Sequence, residues 1–352
     1  MKINFLTVDI SQMTGGAIYD ARLYNMLVEQ FGDTVKLIDD NSFGNTHQEI
    51  SVNHKRYEKV YQQNAEKIMD CDYLFVNSRL YTRFVNFPWK VQKKCKIIEI
   101  HHHFNFETHH GMQKLVHKNL ELKFLKKADQ IICPNPYTID RMRSLGLNNA
   151  VKLEAFDISN EINYDPSIVH KNQFLLLGTV EPRKGADLGI KAFAKFCEQI
   201  DGYNYIIAGN TKGKEEYLNQ LKEECKELHV EDKVIFTGRI SDDEKRKLLS
   251  ESKVFLFPSQ NEGYGLVIVE AMSYGLPVIA FDNTAMPYTV NDSNGYIVRN
   301  RDIDQMCNAL VELFTKPDIY KKKQDGALET VRKLPEENSL KIEYEAFFSS
   351  LK

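Results

Sequence analysis

Two glutamates, Glu262 and Glu270, stand eight residues apart in the stretch NEGYGLVIVEAMSYGLPVIAFD, residues 261–282. The order of residue types reads as loop, helix, turn and strand. A helix opening near Leu266 leaves the amides of Gly263, Tyr264 and Gly265 without intrahelical partners. Those amides, with the helix dipole behind them, suit an anion or a sugar hydroxyl. Glu270 then stands about one turn inside the helix, so both carboxylates can face one site. One can hold a sugar and the other a second polyol such as ribose. The same spacing also describes a surface loop followed by a solvated helix glutamate, and short motifs recur by chance.

Four other segments carry residue types able to do chemistry. In GTVEPRKG, residues 178–185, Arg183 and Lys184 precede a helix expected to start near Ala186. Two fixed cations there can neutralise a pyrophosphate, or simply be solvated in a basic loop. In MTGGAIYDAR, residues 13–22, Gly15 and Gly16 allow close backbone approach to a ligand, or form a structural turn. Five histidines cluster at 101–103 and 109–110. They invite a zinc reading, but no acidic or cysteine ligand stands at a suitable spacing, so no metal is expected. A single histidine at a strand's mouth, His101, can instead contact substrate. The triplet Asp70, Cys71, Asp72 spells D-x-D but precedes a buried run, where a cap or turn explains it. Residues 90–127 hold nine lysines against three glutamates, with Leu115, Leu122 and Leu125 between them. That pattern fits an amphipathic core helix with a solvated basic face, or docking to an anionic membrane surface.

Positioning these groups falls to alternating short apolar runs and helical patterns. Strands are expected at 2–8, 35–38, 73–77, 96–100, 130–133 and 151–153, and then at 174–178, 203–208, 234–237, 254–257 and 278–281. Helices are expected at 17–30, 112–128, 186–199, 215–227, 242–251, 266–274 and 336–352. Such alternation implies parallel sheets buried on both faces, here as two Rossmann-like doubly wound α/β domains facing across a cleft. The first spans 1–160 and takes back the helix 336–352; the second spans 161–335. The polar segment 156–172 joins them. Ligands of such sheets lie beyond the carboxyl ends of the strands.

Composition removes several function classes. At 352 residues, 42% apolar and 27% charged, the chain is that of an ordinary soluble globular protein. A net charge of −3 gives no sign of a nucleic-acid partner. Six scattered cysteines without a C-x-x-C pair suggest reduced thiols and a cytoplasmic setting. The run MKINFLTVDIS reads as a first strand, and no stretch of about 18 apolar residues is present to span a bilayer. No G-x-G-x-x-G follows any strand, so no dinucleotide cofactor is expected.

Residues 261–282 resemble the signature of family-4 retaining glycosyltransferases of the GT-B fold, whose E-x(7)-E motif matches Glu262 and Glu270. GTVEPRKG resembles that family's donor-phosphate segment, and VIFTGRISDDEKRKLLSESKVFLFPS and NDSNGYIV resemble the stretches flanking the motif. IEIHHHFNFET resembles the strand-end histidine region, with His101 in the sugar-contact position. Two departures stand out: Thr179 replaces a frequent arginine, and His102 replaces a frequent aspartate. The resemblance covers nearly all of 174–298 and is thin over the first 170 residues. It implies a nucleotide-diphosphate sugar donor, a glycan or lipid-linked acceptor, and metal-independent retaining transfer without a protein nucleophile. Arg183 and Lys184 would meet the diphosphate, Glu270 the ribose, and Glu262 with the amides of 263–266 the sugar. Arg239 and Ile240 would border the base. A related hydrolase or epimerase, an oxidoreductase and a non-catalytic sugar-nucleotide-binding module are the competing functions.

Overall fold

The computed structural model describes residues 1–8, 15–43, 54–90, 95–154 and 161–351. Met13 and Thr14 of the first glycine segment, part of the basic segment (91–94) and the start of the expected linker (155–160) lie outside the described residues. The chain forms two compact units, Met1–Asp157 with Glu337–Lys352, and Ile158–Glu336.

The first unit is built on six parallel strands: β1 (Ile3–Leu6), β2 (Val35–Ile38), β3 (Tyr73–Asn77), β4 (Lys96–Ile100), β5 (Gln130–Cys133) and β6 (Ala150–Lys152). They lie in the order β2-β1-β3-β4-β5-β6. Every residue of β1 and β3 is buried. Burial on both faces is why these strands read as continuous apolar runs rather than alternating ones. The chain leaves β1 in one direction to make β2, then returns to the other side of β1 to make β3. That reversal opens a crevice at the carboxyl ends of β1 and β3. The last helix, Glu337–Ser350, packs on this unit. Its buried Tyr344 donates to the carbonyl of Glu154 at 2.7 Å and meets the hydroxyl of Tyr19 at 2.6 Å.

The second unit repeats the plan with β7 (Gln173–Leu177), β8 (Asn204–Ala208), β9 (Val234–Gly238), β10 (Val254–Phe257), β11 (Val278–Phe281) and β12 (Gly295–Val298). Their order is β12-β11-β10-β7-β8-β9, again all parallel. The reversal falls between β7 and β10. Phe174, Phe193, Phe196 and Phe314 pack edge-to-face and stacked behind β7, at centroid distances of 5.0–5.7 Å. Such contacts add to the area they bury.

The α/β class and the two doubly wound sheets are as the alternation implied. The sequence expectation omits β12, an edge strand of four residues whose two central side chains are only half-buried. It also omits the helices His54–Gln63, Ala65–Met69, Pro136–Ser144, Ile303–Thr315 and Pro317–Arg332. Pro136 and Pro317 each open a helix at a position where the missing amide costs nothing.

Gly185 sets the geometry between β7 and its following helix, Ala186–Cys197. It adopts φ 69°, and a Cβ there would lie 2.1 Å from the backbone oxygen of Pro258. The loop after β7 and the loop after β10 therefore touch through a position open only to glycine. Left-handed strain and a backbone clash together predict that Gly185→Ala destabilises the protein by roughly 2–4 kcal/mol. Urea unfolding of the purified variant measures this, and an unchanged midpoint would refute it.

Candidate active site

The reversal in the second unit brings two loops together, residues 178–185 after β7 and 258–265 after β10. Glu262 lies on the second loop with its side chain only 10% exposed. Its Oε1 accepts from Lys184 Nζ at 2.6 Å, from Ser259 Oγ at 2.6 Å and from Arg183 Nη1 at 3.3 Å. Its amide donates to Thr284 Oγ1 at 3.0 Å. Arg183 is fixed further by the carbonyl of Asn261 at 2.6 Å and by Glu181 at 2.8 Å. The Lys184 stem runs past Gly178, and its ammonium lies 5.3 Å from the centre of the Phe257 ring. Burial alone would raise the Glu262 carboxyl, but Lys184 and Arg183, with the Lys184 and Ser259 hydrogen bonds, hold it below its usual 4.5. The expected anion-binding cations are thus already joined to the expected sugar-binding carboxylate.

Gly265 caps the helix Leu266–Ser273 in the left-handed region at φ 77°, with no side-chain cap. Without a capping side chain, the first turn relies on other partners for its amides. Gly263, Tyr264 and Leu266 are half-buried around it. Glu270 lies one turn in and pairs with Lys245 of the helix Asp242–Glu251 at 2.6 Å, both side chains about one-third exposed. Arg239 is exposed and Ile240 half-buried just after β9.

The first unit gathers a different set at its own reversal. Asp20 is fully buried on the helix Gly15–Phe31. It accepts from Thr7 at the end of β1, from Asn77 Nδ2 at the end of β3 at 2.6 Å, and meets His102 Nε2 at 2.9 Å. A Cβ on Gly16 would sit in ordinary van der Waals contact with the His102 ring, at 3.5 Å, so the helix start lies beside this histidine. Gly15 beside it is exposed. His101 is fully buried, tilted against Phe104 at 4.4 Å, with Nδ1 3.4 Å from Glu99. Burial pushes the Glu99 carboxyl well up and the His101 imidazole well down, so the charged form of each is disfavoured. Of the two strand-end histidines, it is His102 that borders the glycine segment.

Residue-by-residue reading of the sequence did not single out Asp20, Asn77, Ser259 or Lys245. Asp20 sits inside the quoted MTGGAIYDAR, and a polar residue one turn into a helix that follows a strand was the available signal. Asp70 pairs with Lys2, and Asp72 accepts the Lys2 amide at 2.7 Å, so the D-x-D triplet ties down the amino end of the sheet. Among the described residues no group of three histidines, cysteines or carboxylates is arranged to hold a metal ion.

Lys184→Met removes the principal partner of a nearly buried carboxylate, which costs about 3 kcal/mol. The sign of its pH dependence follows from Glu262. A carboxyl lowered by folding stabilises above its unfolded pKa, and that gain is lost as pH falls through the folded value. The gap between wild type and variant should therefore be full above pH 4.5 and shrink below it. A gap independent of pH, measured by denaturant unfolding, would contradict the pairing.

Residues 160–339 match the family described as Glycosyl transferases group 1. A mannosyltransferase of Mycobacterium tuberculosis, GDP-mannose-dependent and acting on phosphatidylinositol monomannoside, is 31% identical over 150 residues, 40% of this chain and 38% of that protein. The poly(ribitol-phosphate) α-N-acetylglucosaminyltransferase of Staphylococcus aureus is 24% identical over 85% of this chain and 58% of its own. The match thus spans about two-fifths to three-fifths of these relatives' own lengths. Sucrose-phosphate synthase from Thermosynechococcus elongatus superposes with a TM-score of 0.78 at 16% identity, covering 100% of this chain and 99% of that one. The Anabaena protein HepE, solved with UDP and glucose, gives 0.73 at 17% identity, covering 99% and 100%. The solved structures establish a shared GT-B fold, and with a family match over half its length the chain belongs to the group 1 glycosyl transferases.

Proposed function

We propose that the protein is a retaining, metal-independent hexosyltransferase. Its donor is a nucleotide-diphosphate sugar, UDP- or GDP-linked, and its acceptor a glycan, lipid-linked or small-molecule hydroxyl in cell-surface glycoconjugate synthesis. The carrying observation is the Lys184–Glu262–Arg183 cluster at the reversal between β7 and β10. A diphosphate entering there exchanges with Glu262 as partner of the two cations. Glu262 is then released to accept from a sugar hydroxyl, while the cations and the uncapped amides at Leu266 stabilise the leaving diphosphate. Glu270, steadied by Lys245, takes the ribose hydroxyls, and Arg239 and Ile240 border the base. The departing phosphate is the group that takes the acceptor's proton. The sugar contact that resemblance gave to His101 passes to His102, which lies beside Gly16. The nucleotide named with HepE and the sugars named for the relatives support this donor class.

Calorimetry with UDP and GDP tests the division of labour. Glu270→Ala removes charged hydrogen bonds worth about 1.5–3 kcal/mol, a loss of roughly tenfold or more in nucleotide affinity. Glu262→Ala leaves bare-nucleotide affinity unchanged or tighter and lowers turnover of the sugar donor. Turnover should persist in EDTA. Equal affinity losses in both variants, or activity abolished by EDTA and restored by Mg²⁺, would sink this mechanism.

A second observation favours a membrane-borne acceptor. On the helix Gly111–Leu125, Met112, Leu115 and Val116 are 75%, 55% and 49% exposed at adjacent turns, next to the exposed Lys114. Phe106, Phe124 and Leu125 are buried, and Lys118 lies over the Phe106 ring, so the apolar surface on offer is the helix's first turns. Among the described residues no helix is long and apolar enough to cross a membrane. An amphipathic face with Lys123, Lys126 and Lys127 at its far end suits anionic lipid, each lysine contributing on the order of 1 kcal/mol. Wild type should sediment with anionic liposomes at low salt and be released at high salt. Replacing Met112, Leu115 and Val116 by serine should abolish this while sparing turnover on a soluble acceptor; unaltered sedimentation would leave the face merely solvated.

A further inference from the structure

We propose that Cys71 and Cys95 form a redox-modifiable dithiol, which a hydroperoxide converts to a disulfide stapling the amino ends of β3 and β4. The two sulfurs lie 3.4 Å apart, although the residues are 24 apart in sequence. Among the described residues no other pair of cysteines shows such contact.

The fold explains why they meet. Tyr73 of β3 and Lys96 of β4 are register partners. Cys71 stands two residues before the first and Cys95 one residue before the second. The Lys96 amide donates to the Asp72 carbonyl at 2.9 Å, so the backbone between the two cysteines is already tied. Disulfide bonding needs sulfurs at about 2.0 Å, a distance that side-chain rotation reaches from van der Waals contact when the backbones are this close. Their surroundings differ in the way oxidation requires. Cys71 is buried against the core of the first unit, whereas Cys95 is partly exposed. The Cys71 hydrogen bond holds the Cys95 thiol below its usual range and, in return, raises Cys71. The thiolate is the nucleophile in such chemistry.

The steps balance. The Cys95 thiolate attacks one peroxide oxygen, the O–O bond breaks, and the sulfur becomes a sulfenic acid while water or an alcohol departs. Cys71 sulfur then attacks the Cys95 sulfur, the S–O bond breaks, and the Cys71 proton leaves with hydroxide as water. Two thiols are oxidised and one peroxide is reduced.

The bond would form at the end of β4 opposite His101 and His102. Oxidation should therefore change the stability of the first unit and leave transfer chemistry intact. Purified protein would be treated with hydrogen peroxide in small excess, alkylated, digested and examined by mass spectrometry. The expected result is loss of two of the six free thiols, a peptide cross-linked between Cys71 and Cys95, and a raised melting temperature reversed by dithiothreitol. Cys95→Ser and, separately, Cys71→Ala should each abolish the cross-link while keeping wild-type turnover. Should Cys71 replacement impair folding, Cys95→Ser alone decides the matter, because its side chain is partly exposed. Six alkylatable thiols after peroxide, a sulfinic acid at Cys95 without a cross-link, or pairing of either residue with another cysteine would overturn the proposal.

Discussion

A carboxylate shielded from water must be paired, and Glu262 is the point around which the second unit is arranged. Its Oε1 takes two cations and a hydroxyl, and each partner comes from a different constraint. Lys184 and Arg183 are delivered by the loop after β7, Ser259 by the end of β10. Those strands are neighbours only because the chain reverses direction between β9 and β10. Gly185 then lets the two loops close to contact distance over Pro258. Without this junction a nearly buried charge would stand alone, at a cost of several kcal/mol. The site is thus inseparable from the topology.

The first unit satisfies the groups at its own reversal by a different electrostatic route. Asp20 is satisfied by Thr7, Asn77 and His102 from the ends of three strands. Among the described residues its ion-pair partner is a histidine, not a lysine. Deeper in, charge is suppressed. Burial and the nearby Glu121 carboxyl push the Glu99 carboxyl well up. Burial pushes Glu121 itself up to about 7, although it accepts from the amides of Asn105 and Phe106 and from the Asn105 side chain. Two acids that share a dry space cannot both ionise. The second unit presents fixed cations beside a carboxylate; the first presents a hydrogen-bonded set of Asp20, Asn77 and His102.

Much of this was legible in residue order, and the reason is burial. Strands covered on both faces must be apolar runs, so β3, β4, β5, β10 and β11 coincide with the runs that mark them. The edge strand β12 has no such obligation and left only GYIV as a trace. The loop that carries Glu262 announced itself through glycines and an acid beside an apolar helix. Its pairing with Lys184 did not, because 78 residues separate them and only the strand order brings them together. The same holds for Cys71 and Cys95, whose spacing matches no cysteine motif. Local chemistry is written along the chain, whereas encounters across a parallel sheet are decided by crossover connections that no spacing records.

The pairing of Glu262 also bears on how a glycosyltransferase site waits for its donor. Without Glu262, Arg183 and Lys184 would repel each other, and Lys184 would lose its carboxylate partner. An internal carboxylate removes that repulsion and holds both cations in place. The arrangement weakens anion binding by whatever the internal pair is worth, and it discriminates. A single phosphate offers little to displace a carboxylate already bonded to three donors. A diphosphate whose sugar supplies hydroxyls to the released Glu262 replaces every bond it breaks. Differential affinity between two ligand classes then follows from one shared carboxylate, since a ligand shifts an equilibrium only by the contacts it makes in one state and not the other. Under the proposed function, selectivity for a sugar-linked diphosphate over simpler anions is a property of the resting ion pair.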